Sequence, residues 1–104
     1  MRGALPILLL VVLRSGPSYG YAITASLTQF GFGAVKGASI YPALSRLESA
    51  GWVATHWRPG DGGPGRKFFA LTPNGIDALR HLELEWRQFT ATVDRLIDEN
   101  GEAE

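Results

Sequence analysis

The spacing of apolar residues changes twice along this chain, and that change limits the possible folds most strictly. Up to Gly51, apolar residues recur every three or four positions in three short segments separated by glycines, as in short helices. Residues 52–57 and 67–71 are instead rich in strand-forming residues. The loop between them is rich in glycine and proline, which predicts a hairpin with a flexible tip. Helical spacing returns at Pro73 and continues to Asp98, so the predicted order is three helices, a hairpin and a long helix.

The three early helices carry signals at their ends and along one face. The first is predicted over residues 5–13, and the second is expected to begin at Ser18, whose hydroxyl can cap free first-turn amides. The third is predicted over residues 39–50, with Ser39 as its cap and Gly51 as its stop. In the second helix the apolar positions at helical spacing are Tyr21, Ala22, Ala25, Leu27 and Phe30, and in the third the residues expected to face inward are Ile40, Leu44 and Leu47. Three short helices with glycine breaks suit a helix-turn-helix.

The chain is small and has no cysteine, so we expect it to pair with a second copy. A domain of 104 residues buries only about 60–65% of the surface of its unfolded chain, and no disulfide can compensate. The two histidines lie too far apart in sequence for structural zinc, and no metal or cofactor is expected. The interpretation is a mainly α fold with a small β-hairpin. Residues 1–72 form a winged helix-turn-helix head, 73–98 a dimerisation helix and 99–104 an acidic flexible tail.

The charge is neutral overall but unevenly distributed. Residues 1–71 carry seven Lys and Arg against two acids, whereas residues 72–104 carry three Arg against eight acids. Such asymmetry is expected when one part of a protein meets a polyanion and the other does not. The head is therefore the candidate partner of nucleic acid.

The apolar start of the chain leaves two interpretations open. Arg2 followed by the apolar run from Leu5 to Leu13 resembles a signal peptide, but no clear cleavage site follows and Pro6 suits a first helical turn. The run is too short to span a bilayer. We favour a buried first helix, no membrane association and a cytoplasmic location.

The residues themselves resemble the PadR-like transcriptional regulators, in the compact form with a single C-terminal dimerisation helix. The resemblance covers nearly the whole chain in the family's order. It rests on Tyr19-Gly20-Tyr21, on Ile40-Tyr41-Pro42-Ala43-Leu44-Ser45-Arg46-Leu47-Glu48 with Gly51, on Gly63-Pro64-Gly65-Arg66-Lys67, and on Leu71-Thr72-Pro73-Asn74-Gly75. It implies a homodimer that represses transcription, often until a small effector binds, with the third helix in the major groove of double-stranded DNA and the last helix at the dimer interface.

The candidate DNA-binding residues lie in the third helix and beside the hairpin tip. Short donors, an aromatic ring and a cation on a helix can contact bases and phosphates, and two adjacent cations on a wing can hold phosphates. The candidates are Lys36, Ser39, Tyr41, Pro42, Ser45, Arg46, Arg66 and Lys67. Glu48 is expected to pair with a cation of the protein rather than to contact a base.

The apolar stripe of the long helix is expected to form the dimer interface. Its candidate residues are Leu79, Leu82, Trp86, Phe89, Val93 and Leu96. Trp86 lies in the middle of this stripe. In a two-fold dimer its two copies could line a pocket for a flat aromatic effector.

Patterns typical of other classes of function are incomplete in this sequence. Gly60, Gly62 and Gly65 match a dinucleotide-binding pattern, but a strand follows them where that site needs a helix. No nucleophile and base are evident together, so an enzyme is not expected. Two alternatives stay open: a winged helix that binds proteins without DNA, favoured by the neutral charge, and a small-molecule sensor in which DNA binding is secondary.

Overall fold

The protein is described by a computed structural model that covers residues 2–33, 35–60 and 62–101. Its helices and strands are α1 Leu5–Leu13, β1 Ser18–Tyr19, α2 Gly20–Leu27, α3 Gly37–Ser49, β2 Val53–Gly60, β3 Gly63–Leu71 and α4 Pro73–Asn100. A short 3-10 turn, Arg2–Ala4, precedes α1, and a π-helical turn, Thr28–Phe32, follows α2. The predicted order of helices and hairpin is confirmed, and β1 adds a strand that the sequence did not indicate.

Helix α1 was expected to be buried on most sides, but only one side of it packs into the core of the head; its other side is partly buried, and Val11 is 41% exposed. Pro6 occupies the first turn, where its missing amide breaks no helical hydrogen bond. Leu9, Leu10 and Leu13 are buried and pack in one core with residues of the later helices and the sheet. Because α1 contacts α2, α3, β3 and α4, it holds the other elements in place.

Helix α2 differs from its prediction in both its start and its buried face. Ser18 does not cap it, because Ser18 and Tyr19 pair with β3 as a strand and the helix begins at Gly20. Its core residues are Ile23 and Leu27, one helical turn apart. Three of the apolar residues at helical spacing do not lie on the buried face: Tyr21 and Phe30 are 75% and 86% exposed, and Ala25 is exposed too. Gly31, at a φ of +118°, breaks the regular helix next to Phe30.

Helix α3 begins two residues before its predicted cap. Lys36 occupies the N-cap position with extended backbone, and its carbonyl accepts from the Ser39 amide at 2.9 Å, so Ser39 lies inside the first turn. The predicted inward residues Ile40, Leu44 and Leu47 are all buried. The helix ends as predicted, because Gly51 adopts a φ of +80°, a left-handed conformation that glycine accepts without strain.

The sheet has three antiparallel strands in the order β1, β3, β2. The hairpin is longer than predicted: β2 continues to Gly60 and β3 starts at Gly63, which leaves only residues 61 and 62 between them. Backbone pairing does not need side chains, so the ladder passes through the glycine-rich segment after a register shift between Arg58 and Gly60. We call this hairpin, residues 53–71, the wing.

Helix α4 starts as predicted, at a cap formed by Thr72. The Thr72 hydroxyl accepts from the Gly75 amide at 3.0 Å and donates to the Gly51 carbonyl at 2.6 Å. The helix then runs two residues beyond the predicted end at Asp98, and residues 102–104 of the predicted tail lie outside the described residues. None of the helices in the described ranges is both long and apolar enough to cross a membrane.

Candidate nucleic-acid interface

One continuous face of α3 is exposed to solvent. Its residues are Ala38, Ser39, Tyr41, Pro42, Ser45, Arg46 and Ser49, and Lys36 lies exposed just before the helix. The opposite face is buried in the core. All the DNA-binding candidates predicted in and before α3 therefore lie together on the free side. Hydroxyls and a guanidinium are groups that contact base edges and phosphates.

Two of these residues also shape the helix. Tyr41 is 53% exposed, and its ring covers Gly20, where a side chain would overlap the ring atoms. Tyr41 therefore fixes α3 against the first turn of α2 while one edge of its ring stays free. Pro42 has no amide, so the Ala38 carbonyl on the exposed face lacks its usual helical donor and can accept from a ligand or water.

The outer face of the wing carries aromatic rings and two arginines. In the register of the sheet, Phe68 of β3 lies between Tyr19 of β1 and His56 of β2, and Arg58 lies directly opposite Arg66. We call these five residues the outer face. The Tyr19 and Phe68 ring centroids are 5.2 Å apart, and those of His56 and Phe68 are 5.8 Å apart.

The aromatic rings hold both guanidinium groups of the outer face. The Arg58 guanidinium lies 4.2 Å from the Phe68 centroid, and its Nε donates to His56 Nε2 at 3.0 Å. The Arg66 guanidinium lies 4.6 Å from the Tyr19 centroid, and its Nη1 donates to the Tyr19 hydroxyl at 3.0 Å. Two like charges on directly opposed positions repel each other. An anion between them would relieve that repulsion, so this face is chemically suited to a phosphate.

The inner face of the wing is different, because it faces α3. Lys67 is next to Arg66 in β3, so its side chain points to the other side of the sheet. Its ammonium lies 3.7 Å from a carboxylate oxygen of Glu48 in α3, which confirms the expected pairing of Glu48 with a cation of the protein. The predicted pair of adjacent cations is therefore divided between two faces, and Arg58 is the partner of Arg66.

Sequence reasoning did not find Tyr19, His56 and Arg58. For His56 and Arg58 the signal was their spacing of two residues, like that of Arg66 and Phe68, which places each pair on one face of a strand. Tyr19 had no such signal, because it joins this face only by pairing with the distant Phe68. The spacing has meaning only if the strands continue past residue 57. The glycine and proline content of this segment concealed its pairing.

The predicted dimer stripe of α4 is divided between the core and the surface. Leu79 was predicted to contact a partner, but it is only 2% exposed and packs in the core of its own chain. Leu82 is half-buried against the same core, and Val93 is half-buried farther along α4. The exposed members of the stripe are Trp86, Phe89 and Leu96, at 41%, 61% and 63%. The free part of the stripe therefore lies on the second half of the helix.

Trp86 also lies at the edge of an open groove between α1, the end of α2 with its π-helical turn, and α4. The groove encloses about 1360 Å³, and its apolar walls include Leu8, Val12, Phe30 and Phe32. Arg14, which donates to Glu83 of α4, crosses one end of it. An apolar groove of this size is suited to a helix of a second protein or to a flat organic molecule.

The three helices, the wing with two arginines on its outer face and the exposed face of α3 define a winged helix-turn-helix protein with an added C-terminal helix. Residues 9–81 match the model of the transcriptional regulator PadR-like family. The chain belongs to this family of transcriptional regulators. No curated protein gave a significant match.

Solved structures of similar proteins agree with this assignment. A PadR family transcriptional regulator from Eggerthella lenta is 36% identical, with a TM-score of 0.84, and the match covers 95% of this chain and 86% of that one. A Streptococcus transcriptional regulator is 30% identical, with coverage of 90% and 92% and a TM-score of 0.81. A PadR-like transcriptional regulator from Bacillus cereus is 27% identical, with coverage of 98% and 95% and a TM-score of 0.82.

Proposed function

We propose that this transcriptional regulator is a repressor that binds a specific DNA sequence as a homodimer. The observation that carries the proposal is the position of its polar and cationic groups. Ser45 and Arg46 lie on the free face of α3, and the wing beside that helix holds Arg58 and Arg66 on aromatic rings. A rigid helix can read bases in the major groove, while the wing binds phosphates. Binding to chromosomal DNA would place the protein in the cytoplasm.

The proposed division of the chain follows from the same surfaces. Residues 1–72 act as the DNA-binding head and 73–98 as the dimerisation helix. The exposed stripe at Trp86, Phe89 and Leu96 supports pairing, because a helix does not usually leave such residues to water. A two-fold dimer presents two recognition helices, so the operator should be an inverted repeat with half-sites roughly 10 base pairs apart.

The groove beside Trp86 supports a finer proposal about release from DNA. A small aromatic molecule between two copies of Trp86 would contact α1 and α4 together. If it changed the relative position of the two heads, it would lower affinity for the operator. The groove also supports the alternative in which the protein is mainly a small-molecule sensor. Trp fluorescence titrated with aromatic ligands, followed by DNA binding with each ligand present, separates the two roles.

Selection of bound sequences from a random duplex pool tests the main proposal. We expect an enriched inverted repeat. Arg46→Ala should weaken binding to that repeat by about 1–3 kcal/mol if Arg46 contacts a base, with a much smaller loss on random DNA. Arg95→Ala on α4 is the matched control, because it removes the same charged group away from α3. Binding without an enriched sequence would contradict sequence-specific recognition, and no binding at any salt concentration would contradict DNA binding itself.

A further inference from the structure

Glu48 is an unusual residue for a surface that meets DNA. Among the described residues before α4, it is the single acidic one, since the other acid of this region, Asp61, lies outside them. It is located in the last turn of α3, between the recognition helix and the inner face of the wing. The proposed DNA backbone passes close to this position, because α3 and the wing would contact the same duplex. A carboxylate there repels phosphate.

Two contacts fix the Glu48 carboxylate toward the wing. One oxygen accepts from the Thr55 hydroxyl at 2.9 Å, and the other lies 3.7 Å from Lys67 Nζ. The ammonium of Lys67 also lies 5.6 Å from the Phe69 ring centroid. Lys67 is thereby held on the protein by a carboxylate that is itself held in place by a strand residue.

This arrangement cancels a charge that could otherwise attract DNA. The side chains of Lys67 and Glu48 are 40% and 39% exposed, and a pair with that exposure adds little to folding stability. Its electrostatic effect on a ligand is larger. The two charges are much closer to each other than the Debye length of about 8 Å, so an approaching phosphate meets a nearly neutral pair. The cations of the outer face, Arg58 and Arg66, have no such partner in the described contacts.

We propose that Glu48 is a positioning residue that limits the affinity of this protein for DNA of any sequence by holding Lys67 away from the phosphates. The inference rests on the proposed DNA binding. Excess phosphate contacts strengthen binding to random and operator DNA alike, and every genome offers a large excess of random sites. With Lys67 neutralised, a larger share of the binding energy comes from α3, where bases are read.

The test compares wild type, Glu48→Gln, Lys67→Ala and the double variant on a random-sequence duplex at salt concentrations from about 50 to 200 mM. Glutamine removes the charge but can still accept from Thr55. The released Lys67 should add one phosphate contact, which steepens the slope of log K against log salt by about 0.9 per chain. The gain in affinity of Glu48→Gln over wild type should then be larger at the lowest salt than at the highest, by about 3.5-fold for each bound chain and so by about 12-fold for a dimer whose two chains both contact DNA.

Lys67→Ala separates this route from a general effect of charge. In the Glu48→Gln background it should remove the whole gain in slope, whereas in the wild-type background it should lower the slope by much less. Asp77→Asn is the matched control, since its partner Arg80 also lies at 3.7 Å but on α4. It makes the same change in net charge and should not alter the slope. Thr55→Val removes the hydrogen bond but retains the charge pair, so it should steepen the slope by less than Glu48→Gln does.

The outcomes distinguish this inference from the proposed function. If the wild type binds no duplex, the proposed function fails. If the wild type binds and Glu48→Gln has the same slope, only the inference fails. It also fails if the gain persists in the double variant, if Asp77→Asn or Thr55→Val produces an equal gain, or if Lys67→Ala alone removes a full contact from the wild type.

Discussion

Replacing Leu96 by alanine should weaken the proposed dimer, while the same replacement at Leu84 should not. The two leucines lie on the same helix and are similarly exposed, at 63% and 57%. Leu96 shares the face of Trp86 and Phe89, whereas the helical repeat turns Leu84 to the opposite side of that stripe. Alanine is the best helix former, so neither change should unfold α4.

The size of the effect follows from the area that a partner would cover. Full burial of a leucine side chain contributes about 1.5–3 kcal/mol, and the exposed 63% of Leu96 corresponds to roughly 1–2 kcal/mol if a partner covers it. Two-fold symmetry removes the contact twice, so the dissociation free energy should fall by about 2–4 kcal/mol. That is a rise in Kd of roughly 30- to 700-fold. Leu84→Ala should change Kd by less than about 3-fold.

Sedimentation equilibrium over a wide range of concentrations measures this Kd for the wild type and both variants. Circular dichroism of each variant shows whether α4 stays helical. An equal rise in Kd for Leu96→Ala and Leu84→Ala would refute the assigned interface, because it would mean that the stripe does not form the contact between the two copies. A wild type that stays monomeric at the highest concentration would refute pairing altogether.

Three further changes test the wing and the start of α4. The double change of Arg58 and Arg66 to alanine should lower the slope of log K against log salt by about 2 per chain in DNA titrations, and an unchanged slope would contradict the phosphate role of the outer face. Gly75→Ala should lower the free energy of unfolding, measured by urea denaturation, by about 1–3 kcal/mol, because the new side chain overlaps the Trp52 carbonyl. Gly63→Ala should have a smaller effect, because there is open space around Gly63. Thr72→Ala should lower the free energy of unfolding by about 1 kcal/mol through loss of the cap, and equal stability to wild type would contradict the two hydrogen bonds of its hydroxyl.

Local signals predicted the helices that local residues define. Thr72 and Pro73 fixed the start of α4, and Gly51 fixed the end of α3, because each acts through its own turn. The start of α2 could not be found in this way. Ser18 and Tyr19 are extended because they pair with Phe69 and Phe68, about 50 residues later in the chain, and no local pattern reports such a partner.

The candidate site shows the same division. The exposed face of α3 was predictable, since helical spacing separates Ile40 and Leu44 from Ser45 and Arg46. The arginine pair of the wing was not predictable, because glycine and proline reduce strand propensity. They concealed the two outermost pairs of the hairpin, Arg58 with Arg66 and Gly60 with Gly63. Once the register places Arg58 opposite Arg66, the division of cations between the two faces follows from the alternation of the strand.

Because α4 is one continuous helix, it connects the proposed dimer interface rigidly to the proposed DNA-binding head. Its 28 residues extend about 42 Å. At its first turn, the Thr72 hydroxyl is tied to the carbonyl of Gly51, where α3 ends. Trp86 lies about 21 Å along the helix from this turn, so a tilt of about 10° about Trp86 would displace the turn by roughly 3.6 Å, close to the rise of one base pair, about 3.4 Å. If the proposed effector tilts α4 at Trp86 by about this angle, we expect the proposed recognition helices to move out of register with their half-sites without unfolding of either head.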